Sequence, residues 1–128
     1  MRQSEIIGHV IAGKAEGRTL GYPTANLELN PGSSRPQPGV YAAWITGNAL
    51  GRWPGVLVSG VHWESEDLPR IEVHLVGYQG DLYGTELSVE VVQRLRDIVI
   101  GLQKNELIEL IENDIAKTRV TLGLTPEL

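Results

Sequence analysis

Residues 6–29 read IIGHVIAGKAEGRTLGYPTANLEL, in which two short apolar runs enclose a glycine-rich loop. The first run, Ile6–Ile11, has the length and composition of a β-strand. The second run, Ala25–Leu29, alternates, so that its apolar residues share one face while Asn26 and Glu28 share the other. The stretch therefore predicts a strand, a loop and a second strand at the start of the chain.

The same short, β-like pattern continues through the middle of the chain. Four further segments are rich in β-branched and aromatic residues, and glycine, proline and asparagine lie between them. These segments are Val40–Thr46, Val56–Ser59, Ile71–Tyr78 and Leu87–Leu95. Short strands joined by glycine-rich turns favour a closed or nearly closed barrel, because closure removes exposed strand edges.

The end of the chain changes from strand-like to helical spacing. Asn105 is predicted to cap a helix, with acidic residues in its first turn, and Gly123 to end it. The apolar positions that recur at helical spacing are Leu107, Ile108, Ile111, Ile115 and Thr118 to Val120. We expect this face to pack against the barrel wall.

Composition limits the class of protein. The 128 residues, 41% of them hydrophobic, predict one domain spanning residues 1–128. The chain has no cysteine, which excludes disulfides, zinc–thiolate sites and a cysteine nucleophile, and fits a reducing, cytoplasmic compartment. No apolar run approaches the roughly 20 residues that span a bilayer. The net charge of −5 suits a small anionic ligand better than nucleic acid, so we expect no nucleic-acid partner. We also expect no membrane partner and a monomer.

The loop within residues 12–24 has the composition of a phosphate-binding segment. Its glycines allow backbone N–H groups to approach an anion closely, and Lys14 and Arg18 add positive charge. The loop lacks the spacing of a Walker motif or a dinucleotide-binding fingerprint. From this feature alone, a simple turn between two strands remains the alternative.

Pro23, Thr24, Ala25 and Asn26 form a stiff corner at the end of the loop. In an extended segment, Thr24 and Asn26 point to the same face. A hydroxyl and an amide oxygen beside phosphates suit Mg²⁺, which prefers hard oxygen ligands and often binds few protein groups. The residues themselves are equally consistent with hydrogen bonds from both side chains to neighbouring backbone.

Glu72 is a carboxylate between Ile71 and Val73 on a predicted strand. A glutamate at such a position is usually solvated or ion-paired. It can also serve as a general base, because phosphoryl transfer to an alcohol needs a carboxylate to accept the hydroxyl proton. His74 is more consistent with a hydrogen-bonded wall residue than with a catalyst, and it has no metal-ligand spacing to His9 or His62.

The chain resembles the riboflavin kinase family. The resemblance rests on the run Gly13 to Leu27 and on matching blocks that follow it in order. These blocks are Pro38–Ala42, Ile71–Leu75, Asp81–Gly84, Leu95–Asp97 and Asn113–Ile115. Two segments, Val61–Glu64 and Ile98–Leu102, depart from the family's pattern.

The resemblance implies a fold, a reaction and a set of site residues. The fold is a six-stranded antiparallel Greek-key barrel with a C-terminal helix, and the reaction converts riboflavin and ATP to FMN and ADP with Mg²⁺. Thr24 and Asn26 would meet the metal and phosphates, and Glu72 would be the base. Arg96 and Asp97 would border the flavin. The residues implied to line the nucleotide phosphates are Gly13, Lys14, Ala15, Gly17 and Arg18.

Two other functions are open at this point. One is a non-catalytic module that binds flavin or nucleotide, and the other is a kinase for a different small alcohol. The presence of Glu72 argues against a pure binding module, since such a module needs no base.

Overall fold

The structure, a computed structural model, describes residues 5–11, 21–60 and 70–124. Within these ranges the chain forms six strands followed by one helix. The strands are β1 (Ile6–Ile11), β2 (Ala25–Leu29), β3 (Gly39–Gly47), β4 (Gly51–Ser59), β5 (Ile71–Leu75) and β6 (Glu86–Arg96), and the helix is α1 (Lys104–Thr121). No helix in the described part of the chain has the length and hydropathy needed to cross a membrane.

The six strands form a closed barrel in the order β1-β2-β5-β4-β3-β6, and all six neighbouring pairs are antiparallel. Strands β3, β4 and β5 follow one another as neighbours, and β6 returns to lie beside β3. This is the order of a Greek key. The predicted fold class, a Greek-key barrel with a C-terminal helix, is therefore confirmed.

The barrel interior is filled by alternate residues of every strand, as the period of two requires. The largest fully enclosed side chains of this cluster are Ile45, Leu57, Ile71 and Leu87. On β3 and β4, Val40, Ala42 and Val56 are also buried although they point away from the interior cluster. Helix α1 contacts β3, β4 and β6, and so covers this outer face.

Strands β3 and β6 extend one residue beyond each predicted end, and two other strands differ more in extent from the sequence prediction. Strand β4 begins at Gly51, earlier than predicted, and includes Pro54. Proline is tolerated there because the ladder between β4 and β5 begins only at Gly55, so this ladder does not require an N–H group at Pro54. Strand β5 ends at Leu75 rather than at Tyr78, because the chain turns at Gly77, whose φ is +84°.

The helix begins slightly earlier than predicted and packs differently. Gln103, not Asn105, precedes its first residue, and the backbone N–H of Gln103 donates to Glu106 Oε1 at 2.9 Å. The predicted stop is confirmed, since Gly123 follows the helix with φ +76°. Val120 was expected on the packed face but is 69% exposed. The buried residues of the helix are Asp114 and Thr118, both polar, and of these Thr118 belongs to the predicted face.

Three successive carbonyl groups hold the loop before β3 in place. The carbonyls of Pro36, Gln37 and Pro38 accept hydrogen bonds from the side chains of three different strands. The donors are Ser59 at 2.9 Å, Tyr41 at 2.5 Å and Arg94 at 2.9 Å. This network favours a fixed wall at this edge of the barrel.

Candidate active site

Pairing between β2 and β5 brings Asn26 beside Glu72. The two residues are direct partners in the antiparallel ladder, so their side chains lie on the same face of the sheet. Thr24 precedes Asn26 by two residues in an extended segment and shares that face. The predicted hydroxyl, amide and carboxylate therefore meet on one surface, although Glu72 is separated from Thr24 by 48 positions in sequence.

Thr24 and Glu72 are in direct contact. The Thr24 hydroxyl donates a hydrogen bond to Glu72 Oε1 at 3.0 Å. The other carboxylate oxygen, Oε2, lies 3.8 Å from Nη1 of Arg70, and the Glu72 side chain is 28% exposed. Among the described residues, the carboxylate is thus partly shielded from water, oriented by the Thr24 hydroxyl and accompanied by the Arg70 guanidinium.

Asn26 is buried, at 8% exposure, between β1 and β5. Among the described residues, no group of three or more His, Cys, Asp or Glu side chains has an arrangement suited to a metal ion. The candidate donors here are of another kind, a hydroxyl and an amide beside one carboxylate. These hard oxygen donors fit the chemistry of Mg²⁺.

His74 holds the segment that leads into β2. Its Nδ1 lies 2.8 Å from the Pro23 carbonyl oxygen, and because a carbonyl can only accept, Nδ1 carries the proton and donates. The interpretation of His74 as a hydrogen-bonded wall residue is consistent with this contact. The histidine lies two residues beyond Glu72 on the same face of β5. One short strand therefore supplies both the candidate base and a support for the backbone next to Thr24.

Sequence reasoning missed the contact between Tyr22 and α1. The Tyr22 hydroxyl donates to Glu112 Oε2 at 2.6 Å, across 90 residues of sequence. This hydrogen bond raises the pKa of the Tyr22 phenol above its ordinary value, with burial and the Glu112 charge acting in the same direction. No sequence pattern pairs these two positions, because the contact depends on where α1 lies on the barrel.

Arg96 is the last residue of β6 and Asp97 follows it, and β6 pairs with neither β2 nor β5. Arg96 binds Asp114 of α1 through Nε–Oδ1 and Nη2–Oδ2 hydrogen bonds of 2.8 and 2.7 Å. The exposed carboxylate of Asp97 accepts a hydrogen bond from Arg94 at 2.8 Å. The predicted flavin contact of both residues stays a prediction.

Several predicted site residues fall outside the described ranges. They are the phosphate-binding candidates Gly13, Lys14, Ala15, Gly17 and Arg18, and the divergent segment Val61–Glu64. The described chain resumes at Gly21, just before the segment that Tyr22, Pro23 and Thr24 form.

Comparison with known proteins supports the same family as the sequence motifs. The family model described as Flavokinase, riboflavin kinase, matches residues 1–122. The bifunctional riboflavin kinase/FMN adenylyltransferase of Escherichia coli K12 is 35% identical over 121 residues, covering 94% of this chain and 38% of that protein. The chain thus spans well under half the length of this curated relative.

Solved structures share the fold. A Streptococcus pneumoniae chain named as a macrolide-efflux protein matches with a TM-score of 0.83 and 29% identity, over 90% of this chain and 38% of that one. Riboflavin kinase from Trypanosoma brucei matches with a TM-score of 0.71 and 21% identity, over 96% of this chain and 82% of that one. At 21% identity the second match shows the fold alone. The family model and the sequence relative together show that this chain belongs to the riboflavin kinase family.

Proposed function

We propose that this chain transfers the γ-phosphate of ATP to the 5′-hydroxyl of riboflavin, giving FMN and ADP. The single observation that carries the proposal is the contact between Thr24 and Glu72, in a chain of the riboflavin kinase family. The contact joins Thr24, a candidate Mg²⁺ ligand, to the carboxylate of Glu72, which is positioned to act as a base.

Glu72 accepts the proton of the ribityl hydroxyl as that oxygen attacks the γ-phosphorus. A new oxygen–phosphorus bond forms, the bond between the γ-phosphorus and the bridging oxygen breaks, and ADP leaves with that oxygen. Such a reaction needs alignment and charge neutralisation more than covalent help from the protein. The 3.0 Å hydrogen bond that Thr24 donates to Glu72 fixes the direction in which the carboxylate points.

Thr24 and Asn26 would hold Mg²⁺ together with the nucleotide phosphates. The bound ion supplies charge neutralisation at the phosphate oxygens. The Thr24 hydroxyl can present an oxygen lone pair to the ion while its hydrogen is donated to Glu72. Both side chains project from the same face of the entry to β2.

The remaining contacts follow the family resemblance. In this proposal the residues that line the nucleotide phosphates are Gly13, Lys14, Ala15, Gly17 and Arg18, and those that border the flavin are Arg96 and Asp97. We also propose that residues 1–128 act as one domain and as a monomer, which analytical ultracentrifugation tests.

The test is FMN formation from riboflavin and ATP, with and without Mg²⁺, followed by chromatography with fluorescence detection. We expect Glu72→Gln to lower kcat by about 100-fold or more while the fold survives, because an amide cannot accept the proton. Glu90→Gln is the matched control, since Glu90 is exposed and pairs with Arg52 on the barrel surface.

Three outcomes would overturn the proposal in different ways. Near wild-type FMN formation by Glu72→Gln would remove the base assignment. Flavin binding without any FMN would favour a non-catalytic binding module. Phosphorylation of another small alcohol in preference to riboflavin, in a substrate panel, would change the acceptor.

A further inference from the structure

Three consecutive residues at the exit of the glycine-rich loop are each held by a side chain from elsewhere in the chain. Tyr22 donates to Glu112 at 2.6 Å. The Pro23 carbonyl accepts from His74 at 2.8 Å, and Thr24 donates to Glu72 at 3.0 Å. The segment Tyr22–Thr24 is therefore held by three contacts, one of them to its backbone.

The supports come from two different elements. Strand β5 supplies the partners of Pro23 and Thr24, whereas helix α1 supplies the partner of the Tyr22 hydroxyl. The Tyr22 ring also meets the His74 ring edge-on, with centroids 6.0 Å apart. The hydroxyl adds to this ring contact a hydrogen bond that depends on the position of α1.

Glu112 lies on a well-anchored part of the helix. Asp114, two residues further on, is 3% exposed and binds Arg96 of β6 through two hydrogen bonds. This anchor fixes the rotation and height of α1 on the barrel. Glu112 therefore contacts Tyr22 from a helix whose position on the barrel is fixed.

A shift in the position of Tyr22 would be transmitted almost fully to Thr24. One residue, Pro23, separates them, and its ring fixes φ, so few soft torsions remain between the two side chains. An exposed hydrogen bond between a tyrosine and a glutamate contributes little to overall stability. Its loss should instead affect the reaction rate, because the hydrogen bond lies next to Thr24 and small misplacements of catalytic groups slow a reaction strongly.

We propose that Tyr22 and Glu112 are positioning residues that hold the loop exit so that Thr24 meets the bound nucleotide and Glu72. This inference rests on the proposed function, and neither side chain touches the reacting atoms. The hydrogen bond pre-orders the nucleotide side of the site, so its loss should appear in the KM for Mg-ATP and leave the KM for riboflavin close to the wild-type value.

The experiment measures both KM values, kcat, the melting temperature and the affinity for an Mg-bound, non-hydrolysable ATP analogue by calorimetry. We expect Tyr22→Phe and Glu112→Ala each to weaken nucleotide binding and to raise the KM for Mg-ATP by about threefold to tenfold. Glu112→Gln keeps an acceptor oxygen and should lie closer to wild type. The double variant Tyr22→Phe/Glu112→Ala should be no worse than the worse single variant.

Two matched substitutions serve as controls. Tyr83→Phe removes a hydroxyl from a tyrosine that is 68% exposed, and Glu109→Ala removes an exposed carboxylate one turn before Glu112. Both should keep wild-type values for both substrates.

The proposal and the proposed function fail in distinguishable ways. If the wild type forms FMN but Tyr22→Phe and Glu112→Ala keep its nucleotide affinity, the positioning role is wrong. Equal increases in both KM values together with a lower melting temperature would also overturn it, in favour of a purely structural contact. If the wild type binds the nucleotide but forms no FMN, the proposed function fails, and the calorimetric comparison still decides the role of Tyr22.

Discussion

Arg96 and Asp114 form a two-hydrogen-bond ion pair that fastens α1 to the end of β6. The Nε–Oδ1 and Nη2–Oδ2 distances are 2.8 and 2.7 Å, and the Arg96 side chain is 20% exposed. Arg96 also donates from Nη1 to the Asp97 carbonyl at 2.9 Å. The pair therefore joins the helix, the last strand and the segment after it.

Removal of Asp114 should destabilise the protein more than removal of an exposed acid from the same helix. Asp114→Ala leaves a largely desolvated guanidinium without its counter-charge, so we expect the free energy of unfolding to fall by about 2–4 kcal/mol. Glu109→Ala should change it by less than about 0.5 kcal/mol. Urea unfolding followed by tryptophan fluorescence measures both, and equal stability of the two variants would contradict the role assigned to the pair.

Thr118 provides the opposite case, a buried polar group that costs stability. Its side chain is 0% exposed, and its Oγ1 has no hydrogen-bond partner among the residues that the structure describes. Valine has nearly the same shape without the hydroxyl, so Thr118→Val should stabilise the protein by about 1 kcal/mol. Thermal unfolding is the measurement.

Ser59→Ala is the matched control for Thr118→Val. Ser59 is 1% exposed, and its hydroxyl donates to the Pro36 carbonyl at 2.9 Å. Removal of this hydroxyl should therefore lower stability by about 1 kcal/mol, because a satisfied hydrogen bond is lost. If both substitutions shift the melting temperature in the same direction, partner satisfaction does not explain either residue.

The strands were predictable because their signal is local. Short runs of β-branched and aromatic residues between glycine-rich turns located the strands, with alternation added for β2, and β1 and β2 have the predicted bounds. The errors fall where tertiary contacts decide. Pro54 is accommodated in β4 because the ladder with β5 begins only at Gly55. Val120 is exposed because buried polar groups on α1, chiefly Asp114, set the rotation of the helix.

In the candidate site too, local features were predictable from the sequence and tertiary contacts were not. That Thr24 and Asn26 share a face follows from strand geometry, and their proximity to Glu72 follows once β2 and β5 are known to pair. The family resemblance assigned these residues to one site but did not predict the strand pairing that joins them. The Tyr22–Glu112 contact had no such source, because the position of α1 on the barrel depends on the whole fold.

Thr24 offers a test that separates its hydroxyl from its shape. Thr24→Val keeps the branched side chain but removes both the donor to Glu72 and the proposed metal ligand, so we expect kcat to fall on the order of 100-fold. Thr24→Ser keeps the hydroxyl and should retain activity within about tenfold of wild type. Steady-state FMN formation compares them. If Thr24→Val kept its activity while Thr24→Ser lost it, the methyl group, and so packing, would be what matters at this position.

The pKa of Tyr22 gives a direct spectroscopic test of its contact with Glu112. Donation of the phenol O–H to the carboxylate favours the neutral phenol and raises its pKa. The hydrogen bond is therefore present below the ordinary pKa of about 10 and is lost as pH rises through the higher value in the folded protein. The ultraviolet titration difference between wild type and Tyr22→Phe isolates this group from the other tyrosines. In a Glu112→Gln background the same difference should move down toward the ordinary pKa, because the charged acceptor is gone. A Tyr22 titration that is identical in both backgrounds would mean that the phenol and the carboxylate do not interact in solution.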